Sequence, residues 1–308
     1  VSESLAERLP PEMFLSELSP MDDIDTAASV TSSDSPATAL AAVPSTLLIT
    51  LAARAHGDSL FPQVAVGDAC AAPLLRRLVA DPRPYLAHKP STYGVLARTR
   101  LFRDLTARFF DSHPHATGVN LGCGLAHYSQ WLDHGGNCWI DADLPEVMAL
   151  RDTLLPCASG RRLHAKADLT QPGWWARLGL PDRDWPTPVT LICEGVLMYL
   201  QPEQALSVLR EFGAHAPRGS QLLFDAMCWL AVGHGGRKPG VRRTGADFHW
   251  GPRRIADLAA AHPRLVLQAE HRVMEGYGWP CAVLGPVFRR VFGVPFYALY
   301  QMGVGEVA

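Results

Sequence analysis

Lysine is almost missing from this 308-residue chain: of its 28 basic residues only Lys89, Lys166 and Lys238 carry an ammonium, and the rest are arginine. Together with abundant alanine, this is the codon bias expected of a GC-rich bacterial genome, in which Val1 reads as a GTG start. An excess of one charge is missing too. A net charge of −2 offers no basic stripe, so a general nucleic-acid binder is not expected. Paired cysteines are also absent. Cys70, Cys123, Cys138, Cys157, Cys193, Cys228 and Cys281 are scattered, odd in number and without a C-x-x-C, which reads as buried reduced thiols in a cytoplasmic protein. No HExxH and no Cys/His cluster is present, so no metal is expected. Long apolar runs are lacking as well. The most apolar early stretch, from Ala39 to Ala53, contains Pro44, Ser45, Thr46 and Thr50 and follows an acidic, serine-rich segment; neither a signal peptide nor a membrane span looks like that. What is present is 48% hydrophobic and 19% charged residues, the balance of a soluble protein with a real core. The length allows one large domain or one domain with a cap.

Residues 1–44 are poor in aromatics and rich in Ser, Thr, Asp, Ala and Pro, and they read as a mobile tail. From Ser45 the pattern turns helical, through "STLLITLAARA", "VAVGDACAAPLLRRLVA" and "STYGVLARTRLFRDLTARFFDSH". In the last of these Leu96, Leu101, Leu105 and Phe109 recur at helical spacing, so a helical cap is expected over 45–115. Strands and helices then alternate, which predicts a mainly parallel sheet covered on both faces. The expected strands are "TGVNLGC", "NCWIDAD", "RRLHAKADL", "PVTLICEGVLMYL" and "SQLLFDAM", with helices at "YSQWLDHG", "LPEVMALRDTLL" and "QPEQALSVLREFGAHA". A glycine- and arginine-rich stretch within 229–252 reads as a surface loop able to cover a site. A helix, a strand, a short helical segment and a last strand then close the sheet with an antiparallel hairpin, completing a domain over 116–308.

The first strand runs into "LGCGLAHY", where Gly122 and Gly124 permit a tight turn and a close ligand approach. The third glycine of a dinucleotide fingerprint is absent, because His127 stands in its place, and no P-loop motif exists. A pyrophosphate is poorly served by such a turn. An adenosine ligand without phosphates needs only the close approach, plus a carboxylate about twenty residues on for its ribose hydroxyls. Asp141 and Asp143 end the second strand there, and Asp168 ends the third, where an adenine amino group can donate to it. Glu194 interrupts an apolar strand, which is costly unless the carboxylate is paired. Either a structural arginine or a cationic ligand answers that need. S-adenosylmethionine has the required chemistry.

Taken in order, "LARTRLFRD", "VNLGCGL", "DADLPEV", "ADL" and "CEGVLMYL" resemble the leucine carboxyl methyltransferase family, and most of all its bacterial polyketide O-methyltransferase branch. The likeness runs from about Ser45 to Cys228. It implies an α/β fold of the class I S-adenosylmethionine-dependent kind, Rossmann-like, with a seven-stranded sheet of order 3-2-1-4-5-7-6 behind the helical preface. It also implies roles. Arg98 resembles the arginine that grips the cofactor's methionine carboxylate, as a bidentate guanidinium would. Gly122 and Gly124 resemble the cofactor turn, Asp143 the ribose ligand with Asp141 as its lesser alternative, and Asp168 with Leu169 the pair beside the adenine. Glu194 resembles the acid near the methionine amine, and Tyr199 the tyrosine near the transfer centre. Arg54 aligns weakly with a basic cofactor contact. One departure stands out: where the family reads Gly-Leu-Asp-Thr-Arg, this chain reads Gly124-Leu125-Ala126-His127-Tyr128. If the missing acid and arginine pair in relatives, their joint loss is nearly neutral; if they touch substrate, the substrate differs.

A carboxylate acceptor needs no general base, whereas a phenol, with pKa near about 10, usually wants one. No residue announces itself as that base. His127 is best placed but reads as a helix cap or surface residue, and His234 and His249 as solvated. A carboxyl group of a specialised metabolite, free or bound to a carrier or peptide, is therefore the expected acceptor, with a hydroxyl as the variant. Arg100, Arg237, Arg242 and Arg243 are candidates to hold it. An NAD(P)-dependent oxidoreductase and an inactive cofactor-binding scaffold are the alternatives.

Overall fold

The computed structural model describes residues 46–79, 81–155, 160–234 and 247–305. The expected tail, Cys157, and Arg237, Arg242 and Arg243 of the expected covering loop lie outside these described residues. Helices come first: α1 (Thr46–His56), α2 (Ala71–Leu78) and the 24-residue α3 (Lys89–Ser112). A proline sits in the first turn of α3, where a missing N–H costs nothing, and the His88 ring accepts a hydrogen bond from the Ser91 N–H.

Seven strands follow: β1 (Thr117–Leu121), β2 (Cys138–Asp143), β3 (Arg162–Lys166), β4 (Val189–Cys193), β5 (Gln221–Met227), β6 (Leu265–Arg272) and β7 (Tyr297–Val304). Their order is β3-β2-β1-β4-β5-β7-β6, the order the resemblance implied. The first five are parallel, and β7 runs antiparallel to both β5 and β6. The connecting helices are α4 (Ser129–Leu132), α5 (Pro145–Leu154), α6 (Trp174–Arg177), α7 (Pro202–His215), α8 (Ile255–Ala259) and α9 (Cys281–Phe292).

Side chains alternate along each strand, so every strand feeds two cores. Val119, Leu121, Leu191, Cys193, Leu222 and Phe224 pack on one face with Trp174, Trp175, Leu209 and Phe212 from α6 and α7. Ile192, Leu223 and Leu299 pack on the other, beneath Phe102, Leu105, Phe109 and Phe110 of α3. The same alternation assigns Asn120, Glu194, Asp225 and Tyr297 to the α3 face. Four polar side chains thus converge at one end of the sheet under a single helix. Helix α3 answers with buried Thr92, Thr99 and Thr106, seven residues apart on its inner side.

Two expected elements are shorter than their patterns. The helix expected over "YSQWLDHG" is only the single turn α4, because Asp133 leaves helical geometry with ψ 111° and spends its carboxylate on the Gly135 N–H and Arg162. The strand expected to run through Leu200 stops at Cys193; Gly195 turns with φ +67° and Leu197–Tyr199 form a single 3₁₀ turn. No described helix is long and apolar enough to cross a bilayer. Among the described cysteines Cys123, Cys193 and Cys228 are buried and Cys138 is exposed.

Candidate functional site

Beyond β1 the chain turns at Gly122 (φ +64°) and Gly124 (φ +49°), a conformation that L side chains rarely adopt. Space is tight there as well. A Cβ on Gly122 would lie 2.4 Å from Val196 Cγ2, and one on Gly124 2.6 Å from Leu47 Cδ2. The Cys123 N–H ties the turn to β2 through the Ala142 carbonyl (3.1 Å). Asp143 clamps it from the end of β2, accepting the Gly124 N–H (2.7 Å) on one oxygen and the Leu144 N–H (2.7 Å) on the other. Each oxygen keeps a further lone-pair site. Burial lifts the Asp143 carboxyl above its ordinary pKa despite those two donors.

Beneath the turn lies a fully buried arginine from α5. Arg151 donates to the Gly124 (3.0 Å) and Ala126 (2.7 Å) carbonyls and to Asp141 (2.6 Å). Asp141 also accepts from Trp139 Nε1 (3.0 Å) and Asn120 Nδ2 (3.3 Å), so this lesser ribose alternative belongs to the turn's foundation. His127 does not cap the helix: α4 has Tyr128 at its N-cap and no side-chain cap. Its ring is half-buried, and burial followed by the Arg151 charge holds its pKa below the ordinary value.

A cleft of about 530 Å³ opens over the turn, lined by the Gly122–Ala126 backbone, Glu194, Gly195, Arg98, Tyr199 and, from α1, Leu47, Thr50 and Arg54. Its polar wall is one network. Glu194 accepts from Arg98 Nε (2.8 Å) and Thr99 Oγ1 (3.0 Å) on one oxygen and from the Tyr128 hydroxyl (2.6 Å) on the other. Arg98 Nη1 reaches Asp225 (3.2 Å) and the Tyr297 hydroxyl (3.1 Å), which itself donates to Asp225 (2.6 Å). The Gly195 N–H donates to the other Asp225 oxygen (2.6 Å). Burial opposes the Arg98 charge, but Tyr297, Asp225 and Glu194 outweigh it and hold its pKa well above the ordinary value. Burial raises the Asp225 carboxyl, with Arg98 pulling against it.

One guanidinium thus faces two carboxylates, an excess of negative charge in a poorly hydrated wall. The Arg98 Nη2 donates to no protein atom among the described residues. A zwitterionic ligand with an added sulfonium fits both features: a cation for the surplus acid and a carboxylate for the spare donor. The side-chain-free floor and the spare Asp143 lone pairs suit an adenosine moiety. Arg54, which also lines the cleft, is bound to Asp68 (2.9 Å) and the Leu125 carbonyl (3.2 Å).

Other expected positions lie elsewhere. Asp168 accepts from the Thr170 N–H (2.8 Å) and hydroxyl (2.7 Å) in a turn after β3, and Leu169 is buried in the sheet core; neither lines the cleft. Arg100, expected to hold an acceptor, donates to the Gln63 carbonyl (2.7 Å) on the outer side of α3 and pairs with Asp104. Tyr199 does line the cleft, packed on Phe248 with ring centroids 5.4 Å apart. Asp225, Tyr128, Thr99 and Tyr297 were not anticipated. Asp225 was detectable by the argument applied to Glu194, since it too interrupts an apolar strand.

The leucine carboxyl methyltransferase family model matches residues 49–213. The tetracenomycin polyketide synthesis O-methyltransferase TcmP of Streptomyces glaucescens is 32% identical over 77% of this chain and 85% of its own length. The chain belongs to the leucine carboxyl methyltransferase family. It is an O-methyltransferase that uses S-adenosylmethionine. A second family relative, the S-adenosyl-L-methionine-dependent methyltransferase dpfgK of Gibberella zeae, is 27% identical over 76% of this chain and 85% of its own length. A solved Thermobifida fusca structure, described as a candidate methyltransferase, shares the fold at 14% identity with a TM-score of 0.50, covering 85% of this chain and 96% of its own. Neither the oxidoreductase nor the inactive scaffold gains support from these family relatives.

Proposed function

We propose that this methyltransferase esterifies a carboxylate of a largely apolar specialised metabolite of polyketide type. The observation that carries the proposal is the composition of the cleft: among the described residues its lining holds Arg98, Glu194 and Tyr199 but no histidine, and so offers no group suited to deprotonate a neutral hydroxyl. Glu194 is spent on three donors. Burial raises the Tyr199 phenol above its ordinary pKa, so at neutral pH it is a hydrogen-bond donor and not a base. A carboxylate acceptor arrives already ionised.

In this reading Arg98 Nη2 takes the cofactor's carboxylate, Glu194 with Asp225 faces its cationic end, the Gly122–Gly124 turn takes the nucleoside, and Asp143 takes the ribose. Bound S-adenosylmethionine supplies an electrophilic methyl on a sulfonium; an acceptor O–CH₃ bond forms as the S–CH₃ bond breaks and its electron pair stays on sulfur. What the chain contributes is alignment and exclusion of water. The 45–115 preface acts as the cap, since α1 supplies Leu47, Thr50 and Arg54 to the cleft.

The test uses methyl-radiolabelled S-adenosylmethionine with aromatic carboxylic acids and the matching phenols. A methyl ester releases its label as volatile methanol in alkali, while an aryl methyl ether keeps it. Alkali-labile product from the acids supports the proposal. Stable label from the phenols alone sinks it.

A further inference from the structure

A second cavity lies outside the cofactor cleft. It occupies about 650 Å³ beneath α9 and is lined by Met274, Leu284, Phe288, Phe296 and Tyr297, with the Arg272–Glu275 ion pair (2.8 Å) among its walls. The sheet fixes its location. β6 ends and β7 begins at the end of the sheet where β5 ends, since Tyr297 pairs with Met227, so α9 sits over the same edge as the cleft.

A single layer of side chains separates the two spaces. Tyr297 lines the cavity, and its hydroxyl is 3.1 Å from Arg98 Nη1, which lines the cleft. An apolar seam runs alongside. Tyr199 of the cleft wall and Phe296 and Tyr297 of the cavity wall pack into one cluster around Met198, Met227 and Phe248. The cavity is lined mainly by apolar and aromatic side chains, and its Arg272 and Glu275 are paired with each other, so it suits a body of fused rings and not a charged or peptidic chain.

We propose that this cavity is the acceptor site: it holds the apolar ring system of an aromatic acid, whose carboxylate passes Tyr297 toward Tyr199 and the cofactor cleft. This rests on the methyltransferase reading of the cleft and adds where and by what chemistry the acceptor is chosen. Selection is by ring volume against Leu284 and Phe288, and the ionic partner of the acid is not supplied by the cavity floor. It follows that α9 and the adjoining 273–296 segment respond to the acceptor, while the glycine turn responds to the cofactor.

Hydrogen exchange separates the two responses. The full chain is examined alone, with S-adenosylhomocysteine, and with S-adenosylhomocysteine plus naphthalene-, anthracene- or anthraquinone-2-carboxylic acid. Protection of 119–126 by S-adenosylhomocysteine tests the cofactor reading by itself. Added protection of 273–296 by at least one ring acid is the result expected from the proposal. Protection by the acids confined to other segments, or no acid effect at all while S-adenosylhomocysteine protects the turn, overturns it. Leu284→Trp, which fills the cavity from α9, should weaken the bound acid on the order of tenfold and leave S-adenosylhomocysteine affinity unchanged. Equal weakening of both ligands, or of neither, also counts against the site. Should that variant not fold, Leu284→Ala serves: it should shift preference toward the larger ring acids, and an unshifted order again refutes the proposal.

Discussion

Two guanidinium groups beside the glycine turn, those of Arg151 and Arg98, are answered differently. Arg151 meets Asp141 and two backbone carbonyls, and Asp141 is in turn closed off by Trp139 and Asn120. Charge balances, and these partners all belong to the protein. Arg98 meets two carboxylates and a phenol, leaving surplus negative charge and a spare donor at the cleft. A buried charge network that closes on itself holds structure; one that stays open is waiting for a ligand. The distinction matters because removing one partner of a buried pair costs about 3–5 kcal/mol, whereas a ligand that completes an open network recovers part of that cost on binding.

The sharpest way to break the comparison is at Arg151. Arg151→Met should destabilise the fold by about 3–5 kcal/mol in urea unfolding, since Asp141 is left buried without its cation. Lysine should restore little, because a single ammonium cannot serve two carbonyls and a carboxylate in that geometry. If Arg151→Met instead unfolds like wild type and loses only cofactor, the closed network is not structural. Next in size is Arg98→Gln, expected to lower S-adenosylhomocysteine affinity by about 2–3 kcal/mol in calorimetric titration. Glu194→Gln sharpens the charge argument further. It removes one unit of the surplus, so S-adenosylmethionine, with its sulfonium, should lose about tenfold more affinity than neutral S-adenosylhomocysteine. An equal loss for both would detach Glu194 from the cationic end.

Acidity offers a third handle. Burial raises the Asp143 carboxyl, so on acidification it gains its proton at a higher pH than an ordinary aspartate, whose value is about 3.9. Affinity for S-adenosylhomocysteine should therefore begin to fall above that pH, and Asp143→Asn should start weaker and show no such limb. Parallel profiles would remove Asp143 from ribose binding. The smallest effect is expected at Arg100, whose exposed pair with Asp104 and contact with Gln63 promise a change within about 0.5 kcal/mol on alanine substitution and no change in turnover.

Much of this was legible before any coordinates. The strands are short apolar runs bounded by turns, and their alternation with helices prescribes a mainly parallel sheet, while its strand order came from the resemblance. Gly122 and Glu194 were named from residue type and place, Arg98 and Tyr199 from the family resemblance, and all four line the cleft. What escaped has physical causes. Helix α4 is one turn long because Asp133 prefers its local backbone and Arg162 to continuing the helix, a competition that periodicity does not register. Nothing in its sequence context marks Arg151 as buried; only the packing of α5 under the turn buries it. Asp225 was overlooked although its strand is as apolar as that of Glu194. Residue parity on β4 and β5 would have placed both acids on the α3 face.

The cation of the open network is separated along the chain from the groups that hold it: Arg98 precedes Glu194 by 96 residues, Asp225 by 127 and Tyr297 by 199. On a ribosome adding about 5–20 residues per second, many seconds pass before the last of these is made. Until Glu194 is made, α3 can coil and pack its aromatic face, but its arginine has no carboxylate to settle against. The cleft wall is therefore among the last parts of the molecule to be finished, and it closes when the C-terminal strand delivers its tyrosine.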